Sequence, residues 1–262
     1  MLKLTNIYIY PVKSMAGIEL QESETEERGL KYDRRWMLIN DQGEFMSQRK
    51  HPKMALLKPK FENNKLQVTA PDLSNIKIPL EKVSDEIASV NIWGTDCKGY
   101  IVSDEHNQWF SEQLGTNCKL VFMGDQKRNI KSLENEGEVS YADGYPYLIV
   151  GQSSLDDLNK RLNVPIPTDR FRPNLVFSKA LPFEEDKWNY FKIGNVEFLG
   201  VKPCARCVMT TINQFTGEKG KEPLKTLATF RQRDNKIYFG LNAVLNGNGM
   251  IKVGDTLNVV GR

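Results

Sequence analysis

The 262-residue sequence has little cysteine and histidine, no long apolar run and no large excess of charge. Four cysteines are too few for a disulfide framework, so we expect free thiols in a reducing cytoplasm. No window approaches the roughly 18 apolar residues of a membrane helix, and the N-terminus lacks the apolar run of a signal peptide. The formal net charge of +3 is too balanced to predict binding to a nucleic acid polymer. These absences predict neither a secreted protein nor a membrane protein.

Two familiar kinds of catalytic site are also unsupported. His51 and His106 are too few and too scattered for a histidine metal site. The sequence has no Gly-x-Ser-x-Gly motif, so a hydrolase of the Ser-His-Asp kind is not indicated. The chemistry must therefore be sought among thiols and local clusters of charge.

The pattern of apolar residues and turns predicts a mixed, mainly β (α+β) fold with a few peripheral helices. Short β segments separated by turn residues recur through the first hundred residues, which is typical of a sandwich or small barrel. We predict helices at 104–114, with Ser103 as N-cap and Gly115 as stop, at 154–162, capped by Ser153 or Ser154, and at 224–231. A charged, turn-rich loop at 124–137 suggests a domain boundary just before it, giving domains 1–122 and 123–262.

The segment 201–212, Val-Lys-Pro-Cys-Ala-Arg-Cys-Val-Met-Thr-Thr-Ile, is the strongest candidate for chemistry. Pro203 and the β-branched run after Cys207 predict a tight turn that leads into a strand, with two thiols and Arg206 at the strand end. A nearby guanidinium favours the thiolate, which binds soft metals or attacks electrophiles. A structural zinc site is not indicated, because the sequence offers no second pair of ligands. A thioredoxin-like dithiol is not indicated either, because it should lie at the start of a helix and a β-branched run follows here. Two buried structural cysteines remain an equally good interpretation of the spacing alone.

Basic side chains cluster at several strand ends and turns. Each cluster alone is more often a solvated charge than a site, but their positions could form one convergent pocket for an anion. The candidates are Lys13-Ser14, Asp33-Arg34-Arg35, Ser47-Gln48-Arg49 and Arg170-Phe-Arg172.

Taken together, these segments resemble the MOSC proteins, in the branch that includes the mitochondrial amidoxime-reducing component and bacterial hydroxylaminopurine-detoxifying relatives. The resemblance spans nearly the whole chain and implies two β-barrel-like domains, of which 1–122 is the MOSC N-terminal one. The matching motifs, in order, are Tyr10-Pro-Val-Lys-Ser14, Asp33-Arg-Arg-Trp36, Arg172-Pro-Asn174, Pro203-Cys-Ala-Arg-Cys-Val-Met-Thr-Thr211, Lys221-Glu-Pro-Leu224, Phe230-Arg231, Phe239-Gly240 and Lys252-Val-Gly-Asp255.

The resemblance implies a molybdenum cofactor, a pterin dithiolene whose metal is completed by one protein thiolate. By motif position that ligand is Cys207, with Cys204 in support. The family's hydroxyl-bearing pair in its Asp-x-x-Pro stretch maps onto Gly144 and Tyr145. The cofactor-binding residues implied are Lys13, Ser14, Arg34, Gly144, Tyr145, Arg172, Asn174, Arg206 and Asn242.

The resemblance also implies a molybdenum-dependent oxidoreductase that reduces small N-hydroxylated compounds such as hydroxylaminopurines, amidoximes and hydroxylamines. No cysteine set for an iron–sulfur cluster remains, and the sequence stops at Arg262 without a ferredoxin domain, so electrons should come from a separate protein. That donor would be a flavin reductase, a ferredoxin or a cytochrome. One alternative is a sulfur or cofactor carrier with a persulfide on Cys207. Another is a non-catalytic module for a phosphate ligand such as pyridoxal phosphate.

Overall fold

A computed structural model describes residues 1–130 and 137–261 of the chain. Most of its regular structure is strand, with three α-helices and several short 3₁₀ helices among these residues. The helices are α1 Asp104–Leu114, α2 Gln152–Asn159 and α3 Leu224–Arg231. The strands are β1 Leu2–Ile9, β2 Ile18–Leu20, β3 Glu22–Glu26, β4 Gly29–Leu30, β5 Trp36–Ile39, β6 Lys58–Glu62, β7 Lys65–Thr69, β8 Asn75–Pro79, β9 Ile87–Ile92, β10 Thr95–Ile101, β11 Lys119–Phe122, β12 Tyr147–Gly151, β13 Leu175–Ser178, β14 Tyr190–Ile193, β15 Val196–Arg206, β16 Gln232–Arg233, β17 Lys236–Leu245, β18 Gly249–Lys252 and β19 Thr256–Gly261.

Seven strands close into a barrel. Their order is β12-β13-β1-β19-β14-β15-β17, and β17 pairs back onto β12 to complete the ring. Closure leaves these strands without the open edges that a flat sheet exposes. The interior is filled by large apolar side chains, including Phe177, Trp188, Phe191 and Phe198, each at most 1% exposed.

Strand β1 joins this barrel although it comes from the start of the chain. It lies between β13 and β19, with Ile7 opposite Leu175 and Leu2 opposite Leu257. Leu4, Ile7 and Ile9 are at most 1% exposed, which shows how firmly the strand is buried. The turn that follows β1 is thereby fixed to the barrel, while the proposed division at residue 122 stays a prediction.

β2 and β16 extend the barrel sheet by pairing with β1 and β17, and the other ten strands form three smaller sheets, in the orders β5-β11-β10-β9, β6-β7-β8 and β18-β3-β4. A second core, centred on Trp36, Leu38, Met54, Phe110 and Leu120, fills the space between the first two of these sheets and α1. This core is distinct from that of the barrel. It supports the segments that bring Lys13, Arg34 and Arg49 towards the site.

Several predicted elements are confirmed. The fold is mainly β with few helices, and α1 and α3 have the predicted bounds. The Ser103 hydroxyl accepts a hydrogen bond from the His106 amide, and Gly115 ends α1 in the left-handed conformation with φ 67°. Between β14 and β15 the chain forms a hairpin at Gly194-Asn195, since Ile193 pairs with Val196. Residues 131–136 of the predicted loop lie outside the described part of the chain.

The prediction for α2 was wrong at both ends. The helix begins at Gln152 rather than Ser154, its N-cap is Gly151, and no side chain caps it. Ser154 is a poor cap here because its hydroxyl donates to the buried carboxylate of Glu185 at 2.9 Å. Glu185 also accepts the Gly151 amide at 3.1 Å, so a distant acidic residue organises this helix start. Among the described residues, no helix is long and apolar enough to cross a membrane.

Candidate functional site

One cavity of about 430 Å³ is lined by all ten residues that the sequence predicted for the site. They come from the turn after β1, the segment before β5, the approach to β12 and β13, the end of β15, and β17. These residues are Lys13, Ser14, Arg34, Gly144, Tyr145, Arg172, Asn174, Arg206, Cys207 and Asn242. The structure therefore brings together residues separated by more than 200 positions in the chain.

Lys13, Arg34 and Arg172, which we call the cation wall, are held by backbone carbonyls and a buried carboxylate. Lys13 Nζ donates to the Tyr141 carbonyl at 2.6 Å, and Arg172 Nη1 donates to that of Met15 at 2.6 Å. The Arg34 guanidinium pairs with fully buried Asp33. Each cation has at least one fixed partner, so the wall is positioned before any ligand arrives.

A buried tyrosine links two of these cations. The Arg34 and Arg172 guanidiniums lie 4.4 and 4.1 Å from the centre of the Tyr10 ring, which is 2% exposed. Attraction between a cation and an aromatic face strengthens when both are desolvated. Tyr10 also anchors the base of the wall, because its backbone amide donates to Asp33 at 2.7 Å.

Three site residues adopt left-handed backbone conformations that side chains other than glycine seldom take. The φ angles are 67° at Ser14, 50° at Arg34 and 54° at Arg172. Such conformations cost on the order of 1 kcal/mol each, and they persist where surrounding contacts over-determine them. Their clustering at one cavity marks it as a place where geometry is held against local preference.

The cavity has a strongly positive lining. Among the described lining residues, seven carry a positive charge and Asp143 alone carries a negative one; the cations are Lys13, Arg34, Arg170, Arg172, Lys202, Arg206 and Lys236. Burial lowers the pKa of Lys13 to about 8, despite the opposing attraction of Asp143. Burial likewise lowers the pKa of Arg172 to about 10. These partly desolvated positive charges create a positive potential that favours the binding of an anion.

Asp143 stands opposite Lys13 and is half exposed. Burial opposes ionisation of this carboxyl, but Lys13, Arg49 and a hydrogen bond from Trp93 together hold its pKa below its ordinary value. Asp143 belongs to the Asp-x-x-Pro stretch singled out from the sequence, although the candidate residues there were its neighbours Gly144 and Tyr145. An added Cβ at Gly144 would meet no atom within 4 Å, and the Tyr145 ring lies 5.1 Å from Lys202 Nζ.

The two cysteines lie at the end of β15, in what we call the thiol edge (Cys204 to Cys207). The prediction of a tight turn at the two cysteines was wrong, because β15 continues through Cys204 and ends at Arg206, so the thiols lie at the end of the preceding strand. The prediction of a strand after Cys207 was wrong. Residues 208–211 form a short 3₁₀ helix, in which Thr210 and Thr211 hydroxyls donate to the Cys207 and Val208 carbonyls. These local hydrogen bonds compete with strand pairing and override the β-branched preference.

Each thiol of this edge has its own arginine. Arg206 Nη1 donates to Cys204 Sγ at 3.0 Å, whereas Arg49 Nη2 donates to Cys207 Sγ at 3.0 Å and to Asp143 at 3.4 Å. Cys207 is exposed and Cys204 is partly buried. The sequence pointed to Ser47-Gln48-Arg49 as an anion-binding candidate but not to its contact with Cys207, since nothing local relates residues 158 positions apart.

Asn174 and Asn242 complete the lining. Asn174 exchanges hydrogen bonds with Leu148, and its side-chain amide donates to the Tyr8 carbonyl at 3.2 Å. Asn242 lies in β17 opposite Leu148 of β12 and Lys202 of β15. Both positions are fixed by the barrel.

The hydrogen-bond donors and the thiol of the cavity suit an anionic group whose metal already has most of its ligands. Within residues 1–130 and 137–261 there is no cluster of three or more His, Cys, Asp or Glu side chains that could hold a bare metal ion. Buried Arg49 Nη1 and Arg206 Nε have no hydrogen-bond partner within the protein. Unpaired buried donors beside an exposed thiol suit a ligand that brings acceptor atoms and a soft metal needing one thiolate. A pterin dithiolene with a phosphate meets that description.

The closed barrel and its basic, thiol-bearing cavity define a β protein with a candidate anion-binding site. The MOSC N-terminal beta barrel domain matches residues 1–117, and the MOSC domain matches residues 136–258. The chain belongs to the MOSC family, as the sequence motifs implied.

Similar curated proteins cover almost all of the chain. "Mitochondrial amidoxime reducing component 2" of Rattus norvegicus is 34% identical over 96% of this chain and 81% of its own length. "Mitochondrial amidoxime-reducing component 1" of Mus musculus is 31% identical over 99% and 82%. "Molybdenum cofactor sulfurase" of Oryza sativa subsp. japonica is 32% identical over 99% of this chain but only 34% of its own length. These names support a function linked to the molybdenum cofactor, and none points to pyridoxal phosphate.

Among solved structures, the YUAD protein from Bacillus subtilis aligns with 98% of this chain and 94% of its own. The sequence identity is 13% and the TM-score is 0.47.

Proposed function

We propose that this protein is a molybdenum-cofactor-dependent reductase of N-hydroxylated compounds, including hydroxylaminopurines, amidoximes and hydroxylamines. The observation that carries the proposal is the convergence of the cation wall and Cys207 on one cavity. Relatives named as amidoxime-reducing components, similar over 96% and 99% of the chain, support the reaction class.

In this proposal the cation wall holds the phosphate and pterin of the cofactor. Arginine forks suit a phosphate because their donors match its oxygens, and Lys13 adds a compact charge. Ser14 and Asn174 offer neutral polar groups at the same cavity. These residues bind and orient the cofactor and take no part in the redox chemistry themselves.

Cys207 supplies the protein thiolate, and Arg49 holds its sulfur through the 3.0 Å hydrogen bond. When bound, the cofactor supplies two-electron chemistry that converts an N-hydroxyl group to an amine and water with two protons. Cys204 instead accepts a hydrogen bond from Arg206, and its proposed role is to support the structure of the thiol edge. The proposed roles of the two thiols therefore differ.

The proposed substrate is a small molecule, and the proposed electron donor is a separate flavin, ferredoxin or cytochrome protein. All four cysteines are free thiols, which fits a reducing compartment such as the cytoplasm. The exposed side of Cys207 gives a donor protein and a substrate access to the same edge.

Metal content tests the proposal directly. Produced in a host that makes molybdopterin, the protein should contain about one molybdenum per chain and reduce 6-hydroxylaminopurine with reduced viologen as donor. Cys207→Ser should lower the molybdenum content at least 10-fold, because an alcohol is a poor ligand for a soft metal. Cys204→Ser, the matched control, should retain most of the metal. Equal molybdenum in Cys207→Ser and the parent protein would refute the assignment.

A carrier of sulfur or cofactor is the second candidate. The exposure of Cys207 and the match to a molybdenum cofactor sulfurase favour it. A persulfide on Cys207, seen by mass spectrometry in a protein that reduces no N-hydroxylated compound, would decide for the carrier. Turnover with stoichiometric molybdenum would decide against it.

A further inference from the structure

Trp93 is a large aromatic residue placed where the backbone disfavours it. It forms, with Gly94, the two-residue turn between β9 and β10, and both residues have positive φ, 53° and 75°. Turns with this sign pattern favour Asn-Gly, whereas a bulky residue in this conformation is an outlier. Despite that cost, the Trp93 side chain remains 51% exposed. Core packing does not account for it.

The residues around Trp93 connect it to the thiol edge. The Arg49 guanidinium lies 4.7 Å from the centre of the Trp93 ring, and its Nη2 lies 3.0 Å from Cys207 Sγ. One guanidinium thus spans the space between the indole and the sulfur. A single side chain therefore couples the position of the aromatic ring to that of the thiol.

Phe45 holds the indole on another side. The two rings are 5.0 Å apart in an edge arrangement of 62°, and Lys13 Nζ lies 4.9 Å from the Phe45 ring. Phe45 therefore joins Trp93 to the cation wall as Arg49 joins it to the thiol edge. The indole is fixed at the place where the two regions meet, with half of its surface open.

We propose that Trp93 is a specificity-determining residue, which stacks the planar part of an N-hydroxylated purine or aryl amidoxime beside Cys207. The proposal rests on the proposed function. Stacking on an aromatic side chain tolerates many ring systems, because each has a π face. A substrate without a planar ring, such as hydroxylamine, gains nothing from it. Trp93 would therefore set which N-hydroxylated compounds bind well.

The test uses Trp93→Asn in the molybdenum-loaded protein. Asparagine suits the turn, so the change removes the ring without disturbing the backbone. We expect KM for 6-hydroxylaminopurine and benzamidoxime to rise roughly 10-fold, the size of one stacking contact, with kcat little changed. KM for hydroxylamine should stay the same, and Trp93→Phe should restore most of the affinity. Calorimetry with adenine and benzamidine, as unreactive probes, should show the same loss of affinity.

Leu73→Asn is the matched control. Leu73 is also exposed, at 80%, and has φ 67° in the turn between β7 and β8. This variant should leave every KM within about two-fold of the parent. Equal changes for planar and non-planar substrates, or unchanged affinity for adenine in Trp93→Asn, would overturn the proposal. If the loaded parent protein reduces none of these compounds, the proposed function fails, while calorimetry still decides the role of Trp93.

Discussion

The cation wall and the thiol edge line the same cavity but are built in opposite ways. Lys13 and Arg172 are at most 9% exposed and donate to backbone carbonyls, and Arg34 pairs with a buried carboxylate. Cys207 is exposed, and its hydrogen-bond partner is the long side chain of Arg49 rather than a backbone carbonyl. The wall is therefore costly to rearrange and the edge is accessible. The proposed function, in which the site holds a large anion and exposes a reactive metal, needs both properties.

The largest expected effect comes from breaking the base of the cation wall. Asp33→Asn leaves the largely buried Arg34 without its fully buried carboxylate partner, and because removing one partner of a buried pair costs about 3–5 kcal/mol, the loss of stability should approach that size. Urea unfolding of the cofactor-free protein would measure it.

Cys204→Ser is the matched change at the thiol edge. It alters one contact of a partly exposed side chain and should cost less than about 1 kcal/mol of stability. Equal losses in the two variants would mean that the wall and the edge do not differ in rigidity.

A pH titration addresses the charge of the wall. Since the pKa of Lys13 is lowered to about 8, its ammonium is present below that pH and is lost as the pH rises through it. Sulfate, whose charge is constant here, should bind the cofactor-free protein about 10-fold more weakly at pH 9.5 than at pH 7. Lys13→Arg keeps its charge and should show little change. A parent protein whose sulfate affinity matches the variant's at both pH values would contradict this.

The same lowered pKa has the opposite effect on stability. Between pH 8 and 10.5 the unfolded chain binds the Lys13 proton more tightly than the folded chain does. The free energy of unfolding should therefore rise with pH in this window, relative to Lys13→Arg. With rising pH, sulfate affinity should fall while the free energy of unfolding rises. Both trends together would show that the charged form of Lys13 binds the anion but destabilises the fold.

The smallest effect concerns Gly144, which follows Asp143 in the cavity lining. An added side chain meets no atom within 4 Å, so Gly144→Ser should fit with a change in stability within about 0.5 kcal/mol. The new hydroxyl supplies a donor at the position where the family resemblance implies one. Sulfate affinity, measured by calorimetry, should rise about 3-fold. A weaker affinity would show that this side of the cavity does not face the anion.

Elements with strong local signals could be predicted from the sequence alone. Helix α1 has a capping serine, apolar residues at helical spacing and a terminal glycine, and its bounds are as predicted. The start of α2 could not be predicted, because distant Glu185 takes the hydroxyl of Ser154. The 3₁₀ helix after Cys207 depends on side-chain hydrogen bonds that compete with an evident strand preference.

The site was predicted as a set of residues but not as an arrangement. The motifs and the resemblance named ten of the residues that line the cavity, because each motif is local and the resemblance put them in order. The sequence contained no sign that Arg49 reaches Cys207, or that Trp93 lies against Arg49. Such contacts follow from the packing of two cores, and their residues are far apart in the chain. The roles of the ten residues stay predictions.

The insertion of β1 between β13 and β19 also bears on how the protein is made. The ribosome synthesises β1 long before its partner Leu257 in β19. Pairings of such long sequence separation form late, because the loop between them must close first. Lys13 and Ser14 follow this strand, so the cavity is not expected to be complete before β19 has been synthesised. Until then β1 can pair only with β2 and, once it is made, with β13. The proposed cofactor would then be loaded after β19 has emerged from the ribosome.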